Sequence, residues 1–112
     1  MDNKKRGIAS EKKRLGEINQ NFIQKRQQLE QKQQQLEQQK QILVQERQRL
    51  NQEQRRVPQH NISQEILSCA HKIQHMGGQI YETILEQRSQ AYNHSIVTQR
   101  LQDVEQEERE LV

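Results

Sequence analysis

The chain has 112 residues, of which 29% are hydrophobic and 29% charged, and it contains no Trp, one Phe and two Tyr. This small number of large apolar side chains cannot fill a globular core. The composition therefore leaves two possibilities, a disordered chain or elongated helices that bury only a thin apolar seam. The net charge of +3 is the sum of two opposite halves: residues 1 to 56 carry 14 Lys/Arg and 7 Asp/Glu, and residues 57 to 112 carry 4 and 8.

The chain opens with a polar, basic segment, residues 1 to 7, which predicts a flexible lead-in ending at Gly7. Six basic residues fall within the first fourteen positions: Lys4, Lys5, Arg6, Lys12, Lys13 and Arg14. A basic start ahead of a leucine repeat is superficially the layout of a basic-leucine-zipper protein. Apolar Ile8 and Leu15 and acidic Glu11 interrupt the supposed basic region, which leaves salt-sensitive phosphate binding as an alternative function.

A single apolar repeat organises residues 8 to 56 and predicts one long heptad helix. Every seventh position is apolar: Ile8, Leu15, Phe22, Leu29, Leu36, Leu43, Leu50 and Val57. A seven-residue apolar repeat keeps one seam facing a partner helix over many turns, which predicts a coiled coil. The six residues from Leu15 to Leu50 in this series are the predicted hairpin seam.

The companion position of this repeat is polar throughout. If the leucine series is position d, position a reads Lys12, Asn19, Arg26, Gln33, Lys40, Arg47 and Gln54. Polar a residues lower stability and specify partner or register, so the first helix is not expected to pair stably with its own copy alone. Gln supplies 24 of the 112 residues, and because it is an uncharged helix former the tract can stay helical.

The heptad pattern stops at residues 57 to 61, which predict a tight reversal. Pro58 removes a helical hydrogen bond and disfavours the α region for the residue before it, so the first helix should end near Arg56. A second helix can then be capped by either Ser63 or Asn61.

The second arm, residues 62 to 112, carries a broader apolar face with three- and four-residue spacing, typical of an amphipathic helix. This face is wider than one partner helix needs, so apolar surface remains for other subunits. Six residues are predicted partner contacts: Ile73, Ile80, Ile84, Tyr92, Ile96 and Leu101. Gly77-Gly78 interrupts the arm and predicts a break or kink, with a hinge or a close backbone approach as alternatives.

Pro58 divides the chain into arms of matched length, and the charges at the two ends favour folding one arm onto the other. A basic start and an acidic end each oppose their own helix dipole, and an antiparallel arrangement brings them together. The predicted fold is an all-α, elongated antiparallel helical hairpin that forms one coiled-coil unit.

No residue pattern predicts catalysis, a cofactor or a metal site. The chain has no glycine-rich phosphate loop, and two narrow helices cannot enclose a substrate. His71 and His75 share a helix face at metal-ligand spacing, but no second ligand pair accompanies them. The lone Cys69 suits a reducing compartment as a small buried thiol, and no apolar run is long enough to span a membrane.

The sequence therefore predicts a non-enzymatic coiled-coil subunit, a structural or adaptor protein that assembles with other helical proteins in a larger intracellular complex, cytoplasmic or nuclear. Its partners would be other coiled-coil proteins or a second copy that completes a four-helix bundle. The alternative is a basic coiled-coil protein of transcription or packaging that binds nucleic acid through residues 4 to 14.

Overall fold

The computed structural model describes residues 2–59 and 61–111. They form two helices, α1 (Asp2–Arg56) and α2 (Ser63–Glu110), with no strand in that part of the chain. The fold is an all-α antiparallel helical hairpin, as the heptad repeat and Pro58 predict. Within the described residues, neither helix contains a stretch apolar and long enough to cross a bilayer.

Helix α1 begins earlier than the sequence predicts. It starts at Asp2 and runs through Gly7, so residues 2 to 7 are helical, where the sequence predicts a flexible lead-in. Lys4, Lys5 and Arg6 are good helix formers, and adding residues to an existing helix is far easier than nucleating a new one. The roughly 1 kcal/mol cost of one Gly is too small to end a helix of this length. Met1 lies outside the described residues.

The reversal is organised by the side chain of Gln54. Its Oε1 accepts a hydrogen bond from the backbone N–H of Ile62 at 3.1 Å, and its Nε2 donates to the carbonyl of Pro58 at 3.4 Å. Of the two capping residues that the sequence left open, Asn61 is the one that contacts the helix start, because its Oδ1 accepts from the N–H of Ser63, the first residue of α2, at 3.3 Å. These contacts satisfy backbone groups that the helix ends leave unpaired. His60 lies outside the described residues.

Helix α2 continues without interruption through Gly77-Gly78, so the predicted break is wrong. Both glycines have ordinary helical backbone geometry, with no positive φ. Half-buried Ile73 and Ile80 lie on either side of the pair, and their packing offsets the roughly 1 kcal/mol that each Gly costs. A Cβ added at Gly78 would meet nothing within 4 Å, and one at Gly77 only the Lys40 Nζ at 4.0 Å. Neither glycine is therefore required by a close backbone approach within the chain.

The chain divides into two compact units. The terminal unit comprises Met1–Leu29 and Glu86–Val112, and the central unit comprises Glu30–Leu85. In the terminal unit Glu11 contacts Arg100 and Lys25 contacts Glu86. In the central unit the Cys69 thiol donates to the Leu43 carbonyl at 3.0 Å. Within the terminal unit, later residues of α1 meet earlier residues of α2, which is antiparallel pairing.

Candidate interaction surface

The predicted seam residues all lie at least partly covered against α2. In the terminal unit Leu15 and Leu29 are buried and Phe22 is half-buried. In the central unit Leu50 is buried, and Leu36 and Leu43 are half-buried. The heptad line therefore faces inward, as a coiled-coil seam does.

The apolar core of the terminal unit is small and lies between the two helices. Ile8, Leu15 and Val104 form it, and Val104 has no exposed surface. Three half-buried residues pack against this cluster: Val97, Leu101 and Leu111. Leu101, which the sequence assigns to a partner interface, thus packs inside the hairpin because it stands one helical turn before Val104 on the same face.

Two polar a positions of α1, Asn19 and Arg26, converge on one histidine of α2. His94 lies with its Nε2 2.6 Å from the Asn19 Oδ1 and its Nδ1 3.1 Å from an Arg26 guanidinium nitrogen. The Phe22 ring stacks on the imidazole, with the ring centroids 5.8 Å apart. These contacts specify the register of the helices in this unit, because a shift of either helix would separate the three polar groups. His94 is not among the residues that the sequence predicts as contacts, and its place among apolar residues of α2 was the available signal.

Ion pairs join the two helices of the terminal unit, and the basic partner lies on α1 in some pairs and on α2 in others. Lys12 pairs with Glu108 at 3.5 Å, as the opposed end charges predict, whereas Glu11 pairs with Arg100 at 2.7 Å in the reverse sense. Arg100 also reaches Glu107 at 3.3 Å. The hydrogen bond to Glu11, with the charges of both carboxylates, raises the pKa of Arg100. Partly exposed ion pairs contribute little to stability, so these pairs serve mainly as evidence of how the two helices are oriented.

Most of the N-terminal basic cluster remains on the surface. Lys12 is half-buried and carries the pair to Glu108. The others are exposed and form no ion pair with another described side chain: Lys4, Lys5, Arg6, Lys13 and Arg14.

The predicted partner contacts on α2 differ in exposure. In the terminal unit Tyr92 is 69% exposed and Ile96 is 52% exposed. In the central unit Ile73, Ile80 and Ile84 are half-buried, so they contribute to the intrachain seam as well.

Four further residues of the central unit are large, apolar and exposed: Ile42, Leu67, Tyr81 and Leu85. None of them is among the partner contacts that the sequence predicts. Each is one member of an apolar doublet whose other member faces the seam: Ile42-Leu43, Ile66-Leu67, Ile80-Tyr81 and Ile84-Leu85. Adjacent residues of a helix point about 100° apart, so both members of a doublet cannot face one partner helix. The doublets were the signal in the sequence for these exposed residues.

An open groove of about 760 Å³ runs between α1 and α2 in the central unit. Its apolar lining comes from both helices: Ile42, Leu43, Leu67 and Met76. Its polar lining consists of neutral, imidazole or cationic side chains: Gln39, Gln64, Ser68, His71, Lys72 and His75. No carboxylate of a described residue lines this groove, which is therefore an apolar surface with a neutral to basic rim.

The described residues contain no cluster of three or more His, Cys, Asp or Glu side chains that could hold a metal ion. His71 and His75 both line the groove. Cys69 is buried on the seam as a free thiol, as the sequence predicts.

Comparison with known proteins returned no relative: no family model, no curated protein and no solved structure matches this chain.

Proposed function

We propose that this chain is a non-enzymatic coiled-coil subunit, structural or adaptor in role, that assembles with other helical proteins in a larger intracellular complex. The observation that carries the proposal is the exposed apolar surface left after the two helices pair. In the central unit it consists of Ile42, Leu67, Tyr81 and Leu85, and in the terminal unit of Tyr92 and Ile96. Ile42 and Leu67 line one groove, and contiguous exposed apolar surface of this kind is typical of a surface that another protein covers.

Two further features support the proposal. The contact of His94 with Asn19 holds α1 and α2 in one register, as polar residues at a positions do in coiled coils. The single cysteine has no intrachain disulfide partner, which is usual for proteins of reducing compartments such as the cytoplasm or nucleus.

Affinity capture of the tagged chain from its native cell tests this function. The wild-type chain should be recovered with helical partners in fixed stoichiometry, or as a defined homo-oligomer by light scattering. A variant with Ser at positions 42, 67, 81 and 85 should lose those partners while keeping its far-UV circular dichroism. A matched control replaces four exposed glutamines with Ser: Gln38, Gln45, Gln52 and Gln74. Recovery of the wild-type chain as a monomer without partners would overturn the proposal.

A second candidate function is nucleic-acid binding, favoured by the exposed basic cluster at the start of α1. Lys13 and Arg14 are exposed and form no ion pair with another described residue. Contacts between these side chains and phosphates would weaken steeply with salt. A gel-shift titration with DNA and RNA at low and moderate salt tests it, with Lys12→Gln, Lys13→Gln and Arg14→Gln combined as the variant. A salt-dependent shift lost in the variant supports this candidate, and the absence of any shift overturns it.

A further inference from the structure

We infer that the groove of the central unit, lined by Ile42, Leu43, Leu67 and Met76, binds one acidic amphipathic helix of a partner protein. The inference rests on the proposed function, because it names the chemistry of a partner and the place where it docks. Docking of such a helix requires an apolar floor, room for the helix and a rim of suitable charge.

The floor is apolar and accessible. Ile42 is 63% exposed and Leu67 is 50% exposed, and they come from opposite sides of the groove. Half-buried Leu43 and Met76 complete the floor. Two adjacent helices offer a third helix a channel in which its side chains interdigitate with both, at the usual interaxial distances of about 8–10 Å. Met76 adds an adaptable side chain, which suits a surface that accommodates a partner.

The length of the groove matches a short helical segment. Along α2 its lining runs from Gln64 to Met76, which at 1.5 Å per residue is about 18 Å, or about three helical turns. An occupant helix would therefore present apolar residues at i, i+3 or i+4, and i+7 to the floor.

The side chains at the rim of the groove favour an occupant helix with negative charge. Lys72 lines the groove together with His71 and His75, and no Asp or Glu lines it. Lys72 forms no ion pair with another described side chain. Carboxylates flanking the apolar residues of the occupant would lie beside this rim, whereas Lys or Arg at those positions would be repelled.

The same rim disfavours a second copy of this chain as the occupant. A two-fold dimer formed groove to groove places the same patch of both copies face to face. With the axis near the middle of the groove, the two Lys72 residues would lie close together, and none of the described residues that line the groove supplies a carboxylate to compensate.

A pair of synthetic helices tests the inference with the full chain. One peptide of about 20 residues, long enough to hold helical structure, carries Leu at the apolar positions and Glu beside them. Its twin carries Lys in place of every Glu. Fluorescence anisotropy should show the acidic peptide binding about tenfold or more tightly than the basic twin, the factor expected when attractive rim charges become repulsive.

Substitutions in the groove then locate the site. Leu67→Ser should weaken the acidic peptide about tenfold or more, because it removes a Leu side chain that binding would bury. Lys72→Glu should reverse the preference between the two peptides. The control is Gln74→Ser, at an exposed residue of α2 that does not line the groove, and it should leave binding unchanged.

Several results would overturn the inference: equal affinity for both peptides, binding unaffected by Leu67→Ser, or a dimer of the chain that Leu67→Ser abolishes.

Capture from the native cell separates failure of this inference from failure of the proposed function. If the assembly survives Leu67→Ser but is lost when Tyr92 and Ile96 are changed to Ser, the function stands and the groove proposal is wrong. If the wild-type chain assembles with nothing, the proposed function itself is wrong.

Discussion

The Nε2 atom of His94 lies 2.6 Å from the Oδ1 atom of Asn19, and this hydrogen bond joins α2 to α1 in the terminal unit. The guanidinium of Arg26, which can only donate, lies 3.1 Å from the other ring nitrogen, Nδ1. Nδ1 must therefore accept, and the proton is assigned to Nε2, which donates to Asn19.

Asn19 and His94 are expected to be energetically coupled. Asn19→Ala should lower the free energy of unfolding by about 1 kcal/mol, the usual net value of one such hydrogen bond. His94→Ala should cost more, since it also removes the stacking on Phe22. Urea denaturation of both single variants and the double variant should give a coupling energy of at least about 0.5 kcal/mol. Additive effects would contradict a direct bond, and Gln24→Ala, at an exposed position of α1, is the control.

Val104 is expected to be the most sensitive apolar residue of the terminal unit. It has no exposed surface and packs with Ile8 and Leu15. Val104→Ala should lower the free energy of unfolding by about 1.5–3 kcal/mol through lost burial and the space left behind. Ile96→Ala, at a residue 52% exposed, should change it by only about 0.5 kcal/mol or less. Thermal denaturation followed by circular dichroism provides the comparison, and equal effects would contradict the core assignment.

Replacing the paired glycines of α2 should stabilise the hairpin. Gly77→Ala and Gly78→Ala should each raise the free energy of unfolding by about 0.5–1 kcal/mol, because Ala has less conformational freedom to lose in a helix. An added methyl group has space at both positions. Chemical denaturation of the two variants checks this. Destabilisation would instead indicate that the glycines serve a hinge or a close contact with another protein.

The Glu11 and Arg100 pair should affect stability mainly through its charges. Glu11→Lys places a cation beside Arg100 and should lower Tm at low salt. The effect should shrink at about 1 M salt, where charges are screened beyond about 3 Å. Adding Arg100→Glu to Glu11→Lys restores opposite charges and should recover part of the lost Tm. A loss of Tm in Glu11→Lys that does not depend on the salt concentration would contradict this interpretation.

Features that depend on local chemistry could be predicted from the sequence. Pro58 ends α1 near Arg56 wherever the rest of the chain lies, because its ring removes a backbone donor and restricts the residue before it. The heptad line from Leu15 to Leu50 predicts an inward-facing seam for a similar reason, since helix periodicity alone places these residues on one side. The pairing of Lys12 with Glu108 agrees with the opposed charges of the two ends.

Features that depend on a whole helix rather than on one residue could not be predicted from the sequence. The length of α1 before Ile8 and the continuity of α2 through Gly77-Gly78 follow from cooperative helix growth and side-chain burial, which outweigh the local preference of a glycine.

The contact surfaces show the same division between local and tertiary causes. The sequence by itself determined two long helices, a reversal at Pro58 and more apolar surface than one seam can use. Only the tertiary structure decided which member of each apolar doublet is exposed, that Leu101 packs against the terminal core, and that His94 reaches Asn19. These outcomes depend on the rotation and register with which α2 meets α1, and residues 75 positions apart in the chain carry no local signal of that register.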